Sequence, residues 1–221
     1  MKIYNISTTY TNRLLIEKID GGRILDIGGA FCPQRIKFLA ENLENAEFFM
    51  LDIADPVQPL GEKISFLKMP LEEATPSKIG KFRHILLSNV LEHLESPGLA
   101  LKICASLLEK NGTVHILSPN CESLNRRIGL IMGKLSSIRE IPDKEKEIGH
   151  LHAMTVQDII GYIADSGLVL KEHFGTLLKP VPTPEMIEWP PERIDAFFKI
   201  APTLPPDLCH EVYFRAGKTC S

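Results

Sequence analysis

Two carboxylates, a pair of glycines and a histidine stand where strand-like runs of this chain stop. Arg23 to Cys32 read Arg-Ile-Leu-Asp-Ile-Gly-Gly-Ala-Phe-Cys, and Pro33 then opens a helical pattern. A strand that ends in glycines and runs into a helix is a mononucleotide cradle. Glycines let a ligand approach the backbone, and the first helical turn has free N–H groups. An ordinary strand-to-helix turn has the same wording. The dinucleotide signature G-x-G-x-x-G is missing, since positions 30 and 32 are Ala and Cys. Asp52 ends a second strand-like run, roughly twenty residues past the glycines, where a carboxylate can accept hydrogen bonds from both ribose hydroxyls. Its structural use would be to cap the Ile53-Ala54-Asp55-Pro56 turn. Asp26 can reach a ligand through water, or orient the loop by accepting its N–H groups. Leu87 to Leu94 read Leu-Ser-Asn-Val-Leu-Glu-His-Leu and place Asn89, Glu92 and His93 after a strand. A histidine there is either a proton acceptor or a group that fixes the turn, with Glu92 as its partner or in solvent.

Such groups act together only if the strand ends share one edge. Strand and helix patterns do alternate, which predicts a mostly parallel sheet covered on both faces. Strands are expected at 23–26, 47–51, 64–67, 82–87 and 113–117, with strand-like segments at 168–174 and 209–215. A first helix over 11–19 carries Leu14, Leu15 and Ile19, and the helix opened by Pro33 carries Ile36, Leu39, Ala40 and Leu43. Ser96-Pro97 caps a helix running to about Lys110, which Asn111-Gly112 stops. Thr155 to Asp158 form a capping box for a helix ending near Ser166-Gly167. The chain reads as a single domain over 1–221, with 119–153 and the Pro-rich 179–207 as candidate lid or specificity insertions.

Composition narrows the class. At 221 residues, 44% hydrophobic and 24% charged, the chain can bury an ordinary core. A net charge of −3 and the lack of a basic stripe argue against nucleic-acid or anionic-membrane partners. The run from Arg139 to Glu147 mixes signs and is expected in solvent. Cys32, Cys104, Cys121, Cys209 and Cys220 include no Cys-x-x-Cys, so neither a disulfide framework nor a metal site is expected. The first residues lack a signal-peptide core, and no apolar run is long enough to span a bilayer. A cytoplasmic monomer or homodimer is the expectation.

These segments resemble the class I S-adenosylmethionine-dependent methyltransferases, especially their small-molecule branch. Val90-Leu91-Glu92-His93-Leu94 matches that branch's sequence after strand four. Leu107 to Thr113 is similar to its step into strand five, and Ser118-Pro119-Asn120 follows. Gly149-His150 through Thr155 and Asp165 through Leu168 look like its later segments. The resemblance covers roughly residues 20–175. Ala30 and Cys32 replace loop glycines, Arg83 follows Phe82 where an Asp is usual, and Lys68 to Glu72 replace the acidic-Ala pair of the adenine loop.

The resemblance implies a Rossmann-like, doubly wound α/β fold with seven strands, mostly parallel, and one antiparallel strand near the C-terminus. It implies S-adenosylmethionine as cofactor and methyl transfer to a small-molecule nucleophile, with O-methylation preferred. Asp26, Gly28, Gly29 and Ala30 would serve its methionine part, Asp52 the ribose, and Ile53, Met69 and Leu71 the adenine. Ser88 or Asn89 would face the sulfonium. His93, His150 and His152 are the candidate bases, because histidine titrates near neutrality. The alternative is a methyltransferase-like scaffold or partner subunit that has lost turnover, motivated by Ala30, Cys32 and Arg83. A dinucleotide oxidoreductase ranks lower, since Tyr4, Tyr10, Tyr162 and Tyr213 have no lysine four residues on. His84 and His115 are expected to pack within strands, while His173 and His210 carry no signal. Met186, Trp189 and Phe197-Phe198 line a pocket or, preferably, pack a helix face. Arg126-Arg127 meet an anionic group or water.

Overall fold

In the computed structural model residues 2–218 are described, with side chains from Thr9 onward, so Cys220 and the Tyr4 side chain lie outside the described residues. The central strand β1 (Gly22–Ile27) is buried from Ile24 to Ile27. It pairs in parallel with β2 (Ala46–Asp52) on one side and β4 (Phe82–Ser88) on the other. β3 (Ile64–Lys68) extends the sheet in parallel beyond β2, and β5 (Leu108–Pro119) does so beyond β4. β7 (Glu211–Gly217) runs antiparallel to both β5 and β6 (Val169–Leu177). The order β3-β2-β1-β4-β5-β7-β6 reverses direction between β1 and β4. A crevice therefore opens at the carboxyl ends of these strands, where open α/β sheets take ligands.

Both sheet faces are covered, as near-continuous apolar strands require. α1 (Lys2–Lys18) and α2 (Gln34–Asn42) cover one face, with Leu15, Ile19, Ile36 and Leu39 packed on Ile24, Met50 and Leu86. A short helix α3 (Pro76–Ile79) precedes α4 (Pro97–Leu107). α4 and α7 (Val156–Asp165) cover the other face, packing Leu101, Cys104, Ile159 and Ile163 on Ile85, Val114 and Phe214. Between them in the chain lie α5 (Leu124–Ile131) and α6 (Asp143–Glu147), within the 119–153 candidate insertion. The Pro-rich span forms α8 (Thr183–Met186) and α9 (Pro191–Ile200). Met186, Ile194 and Phe198 join Leu177 in a third apolar cluster, with Trp189 and Phe197 packed against it. The packing reading of these residues holds. No helix among the described residues is long and apolar enough to cross a membrane.

Local expectations fared unevenly. The Thr155 capping box forms: Asp158 N–H donates to Thr155 Oγ1 at 3.1 Å, and Thr155 N–H to Asp158 Oδ2 at 2.8 Å. Ser96 makes no side-chain cap, and Pro97 starts α4 through its preset φ. α4 stops at Leu107, and Asn111-Gly112 lies inside β5 rather than in a turn. A β-carbon on Gly112 would stand 2.9 Å from the Phe82 carbonyl oxygen, so the glycine lets β5 press against β4 where their register slips.

His84 and His115 do pack within strands, as expected, but as links of a polar chain across three of them. Asp20 Oδ1 lies 2.7 Å from His84 Nε2, His84 Nδ1 lies 2.9 Å from His115 Nε2, and His115 Nδ1 lies 2.7 Å from the Tyr213 hydroxyl. An ionised carboxylate only accepts, so each neutral imidazole donates toward Asp20 and Tyr213 O–H donates to His115. Burial lowers both imidazole pKa values, consistent with two neutral rings. Arg83 anchors the outer end by hydrogen bonds to both Asp20 oxygens, which hold that carboxyl well below the usual range. Tyr213→Phe leaves the buried His115 Nδ1 without a donor. We expect a loss of about 1–3 kcal/mol of stability, measurable as a lower urea midpoint with an unchanged m-value.

Candidate functional site

The crevice is built from the loops that leave β1, β2 and β4. Gly28 N–H donates to the Leu51 carbonyl at 2.9 Å, tying the first loop to β2. Gly28 is exposed at φ +74°, and a β-carbon there would stand 2.7 Å from Val90 Cγ2. Residue 29 must be glycine for another reason: its β-carbon would lie 2.5 Å from Asp26 Oδ2. Asp26 is thus covered by the loop, fully buried, and neither carboxylate oxygen has a hydrogen-bond partner among the described residues. Asp26 therefore does not orient the loop through its amides. Asp52 does so instead: Oδ2 accepts Ala30 N–H at 2.9 Å and Oδ1 accepts Ala54 N–H at 3.0 Å.

Placement separates the expected cofactor residues. Ile53 is 70% exposed, Met69 and Asp52 are half-buried, and Asn89 is exposed in the left-handed region at φ +54°. These line the edge together with Gly28. Ala30 and Leu71 are buried, and their side chains belong to the protein interior. The Ser88 hydroxyl is buried and without a partner among the described residues. Asn89 Nδ2 reaches Glu211 Oε2 at 3.4 Å, a β7 residue that nothing in the sequence pointed to.

Beside this edge the chain brings together groups far apart in sequence. Val90 leads into a single 3-10 turn, Leu91–His93, that buries Leu91 and Glu92. The Glu92 carbonyl accepts Leu151 N–H at 2.8 Å and His152 N–H at 3.3 Å. That clasp lays the 149–152 segment on the turn, with the His93 and His150 rings edge-to-face at 4.8 Å. The Glu92 side chain is buried, and its Oε2 has no hydrogen-bond partner among the described residues. Burial pushes its carboxyl up to about 7. Burial and the neighbouring His150 lower His93. His152 Nε2 instead meets the Leu94 carbonyl at 3.0 Å, so that ring nitrogen donates and steadies the turn.

The flanking segment is held by Arg126, which does not sit in water as one reading had it. It is buried and reaches Glu145 at 3.2 and 3.3 Å, and also the carbonyls of Ile138 and Glu140. Arg127 pairs with Asp207 at 2.7 Å. His210, unsignalled in the sequence, is half-buried beside Lys179, with Nε2 and Nζ 3.4 Å apart.

Asp26 carries a testable consequence. Burial raises its pKa to about 6, against the Arg35 guanidinium 3.8 Å away, which opposes the shift. A folded-state value above the unfolded one means the native state holds the extra proton, so stability falls as pH rises from about 4 to 6. Asp26→Asn should flatten that part of the ligand-free stability profile. The difference is on the order of 3 kcal/mol in denaturation midpoints compared between pH 4 and pH 7.

No family model and no curated protein sequence matches the chain. Solved structures do match. One is an S-adenosylmethionine-dependent methyltransferase from Thermotoga maritima, described as a possible histamine N-methyltransferase. It shares 16% identity at a TM-score of 0.63, over 98% of this chain and 91% of that one. A second is the plantazolicin methyltransferase BpumL, in complex with a triazolic desmethylplantazolicin analogue and S-adenosylhomocysteine. It shares 17% identity at a TM-score of 0.59, over 99% and 84%. A third is a protein described as a putative methyltransferase, in complex with the Haloferax volcanii Trm112 methyltransferase activator. It shares 12% identity at a TM-score of 0.63, over 94% and 88%. The seven-stranded sheet with its antiparallel β7 is thus the Rossmann-like fold of the class I S-adenosylmethionine-dependent methyltransferases.

Proposed function

We propose that this chain is an S-adenosylmethionine-dependent methyltransferase acting on a small-molecule nucleophile, with a hydroxyl as the favoured acceptor. The observation that carries the reading is the row of exposed Gly28, half-buried Asp52 and exposed Asn89 along the crevice of this fold. The residues fit a nucleoside cofactor. Each Asp52 oxygen spends one lone pair on a backbone amide and keeps capacity for a ribose hydroxyl. Exposed Ile53 offers an apolar face for a base, and the unpartnered Ser88 hydroxyl is a spare polar group under the Asn89 turn.

When bound, S-adenosylmethionine supplies a methyl group on a positively charged sulfur, already activated for displacement. The protein's task is to hold, to orient and, for a hydroxyl acceptor, to take a proton. His93 and His150, which neighbour each other and Glu92, would do the last of these. A His93 with a lowered pKa is neutral at pH 7 and keeps a lone pair. The support for a small acceptor is the net charge of −3, which gives no general pull toward nucleic acid.

Calorimetric titration with S-adenosylhomocysteine, with NAD as control, tests the reading. We expect micromolar binding of the first ligand alone, weakened at least tenfold by Asp52→Ala through the loss of hydrogen bonds to a charged acceptor. Circular dichroism of the variant separates that loss from unfolding. Binding of NAD alone would move the assignment to an oxidoreductase, and silence from both would favour the scaffold that has lost turnover.

A further inference from the structure

Glu92, His93 and His150 each offer one ligand atom, and these three atoms lie within 4.8 Å of one another. We propose that they form a binding site for a divalent transition-metal cation, zinc being the best match. Two imidazoles and one carboxylate are the donor set of catalytic zinc and of related first-row metals, with coordination positions left open. The site's role in the methyl transfer rests on the function proposed above, while its capacity to bind a metal stands on the geometry alone.

Three independent features point to a cation. Glu92 is 1% exposed, and its Oε2 has no hydrogen-bond partner among the described residues. A buried carboxylate in that state is costly unless a positive charge joins it. The histidines are also backed from outside the cluster, in the manner of metal-ligating imidazoles. Glu145 Oε2 stands 3.8 Å from His150 Nδ1 and is itself held by Arg126, while His93 hydrogen-bonds the backbone of Gly149. A proton on His150 Nδ1, facing Glu145, leaves Nε2 as the nitrogen with the lone pair. Finally, the clasp of Leu151 and His152 amides on the Glu92 carbonyl joins the two ligand-bearing segments at the backbone. Bonds of about 2.1 Å would draw tetrahedral donors to roughly 3.4 Å apart, so shortening the donor separations by up to about 1.4 Å completes the site.

A cation there would sit beside the Asn89 edge. A hydroxyl bound to it would release its proton to solvent near neutral pH, because a bound zinc lowers the pKa of an oxygen ligand by many units. Proton removal and acceptor orientation would then come from one centre.

The metal-free protein, prepared with a chelator and dialysed, is titrated calorimetrically with Zn²⁺ and, in parallel, with Co²⁺ while its visible absorption is followed. We expect one equivalent bound at micromolar affinity or tighter, with d–d bands for cobalt. Glu92→Gln and His150→Ala should each weaken binding at least tenfold, whereas His173→Ala should leave it unchanged. Glu92→Gln is isosteric and covers the case in which His150→Ala fails to fold. Absence of stoichiometric binding, or binding indifferent to both substitutions, overturns the proposal. The same preparations are titrated with S-adenosylhomocysteine. Cofactor-product binding without metal binding sinks the metal site and spares the methyltransferase reading, and metal binding without it does the reverse.

Discussion

β1 is hydrogen-bonded on both edges and covered on both faces, and the site depends on where that strand stops. Its register sets Asp26 opposite Met50 on one side and Leu86 on the other, both core residues. The strand leaves no route by which the Asp26 side chain can reach water. The loop that follows lies on top of it, because Gly29 has no β-carbon to collide with Oδ2. The chain can turn out of the sheet only at Gly28, where Leu51 still holds the amide and positive φ is tolerated. One constraint thus fixes the exit of the loop, the burial of a carboxylate and the exposure of a single glycine.

The second half of the site comes from a different kind of restraint. His150 is 57 positions from His93 and belongs to a segment with little sheet contact of its own. It is positioned by backbone bonds to the Glu92 carbonyl and by Arg126, which gathers Ile138, Glu140 and Glu145 around one guanidinium. A planar, multi-donor cation suits that work, since it can satisfy two carbonyls and a carboxylate at once. The 119–153 span is therefore anchored at both ends of its excursion: Cys121 N–H meets the Met154 carbonyl at 2.9 Å, and Asn120 N–H meets that of His210 at 2.9 Å.

What was legible beforehand was what local chemistry determines. The glycine turn after β1, the strand-end Asp52 and the Thr155–Asp158 box depend on neighbours a few residues away, and each appears where the spacing put it. Seven mostly parallel strands with one antiparallel strand near the C-terminus followed from a family resemblance carried by short motifs after the strands, whereas the strand order came only from the structure. Asn111-Gly112 misled because the usual reason for that pair, a turn, gave way to a close approach of two backbones. Arg126 misled because its partners lie up to 19 residues away and its neighbour Arg127 pairs with a residue 80 away. Glu211, His210 and Lys179 carried no local mark, since only the antiparallel return of β7 and the end of β6 bring them to the crevice.

Three carboxylates ring this crevice, and their surroundings give them different work. Asp52 accepts two backbone amides and is half exposed, so it keeps lone pairs to spare and suits hydroxyl donors. Asp26 has only the Arg35 guanidinium at 3.8 Å to support its charge, and Glu92 has histidines. Neither is compensated as a buried anion needs to be, because no donor among the described residues meets Asp26 or Glu92 Oε2. Residue type alone would make the three equivalent. Desolvation separates them, leaving one ready acceptor of hydrogen bonds and two carboxyls whose charged form burial disfavours.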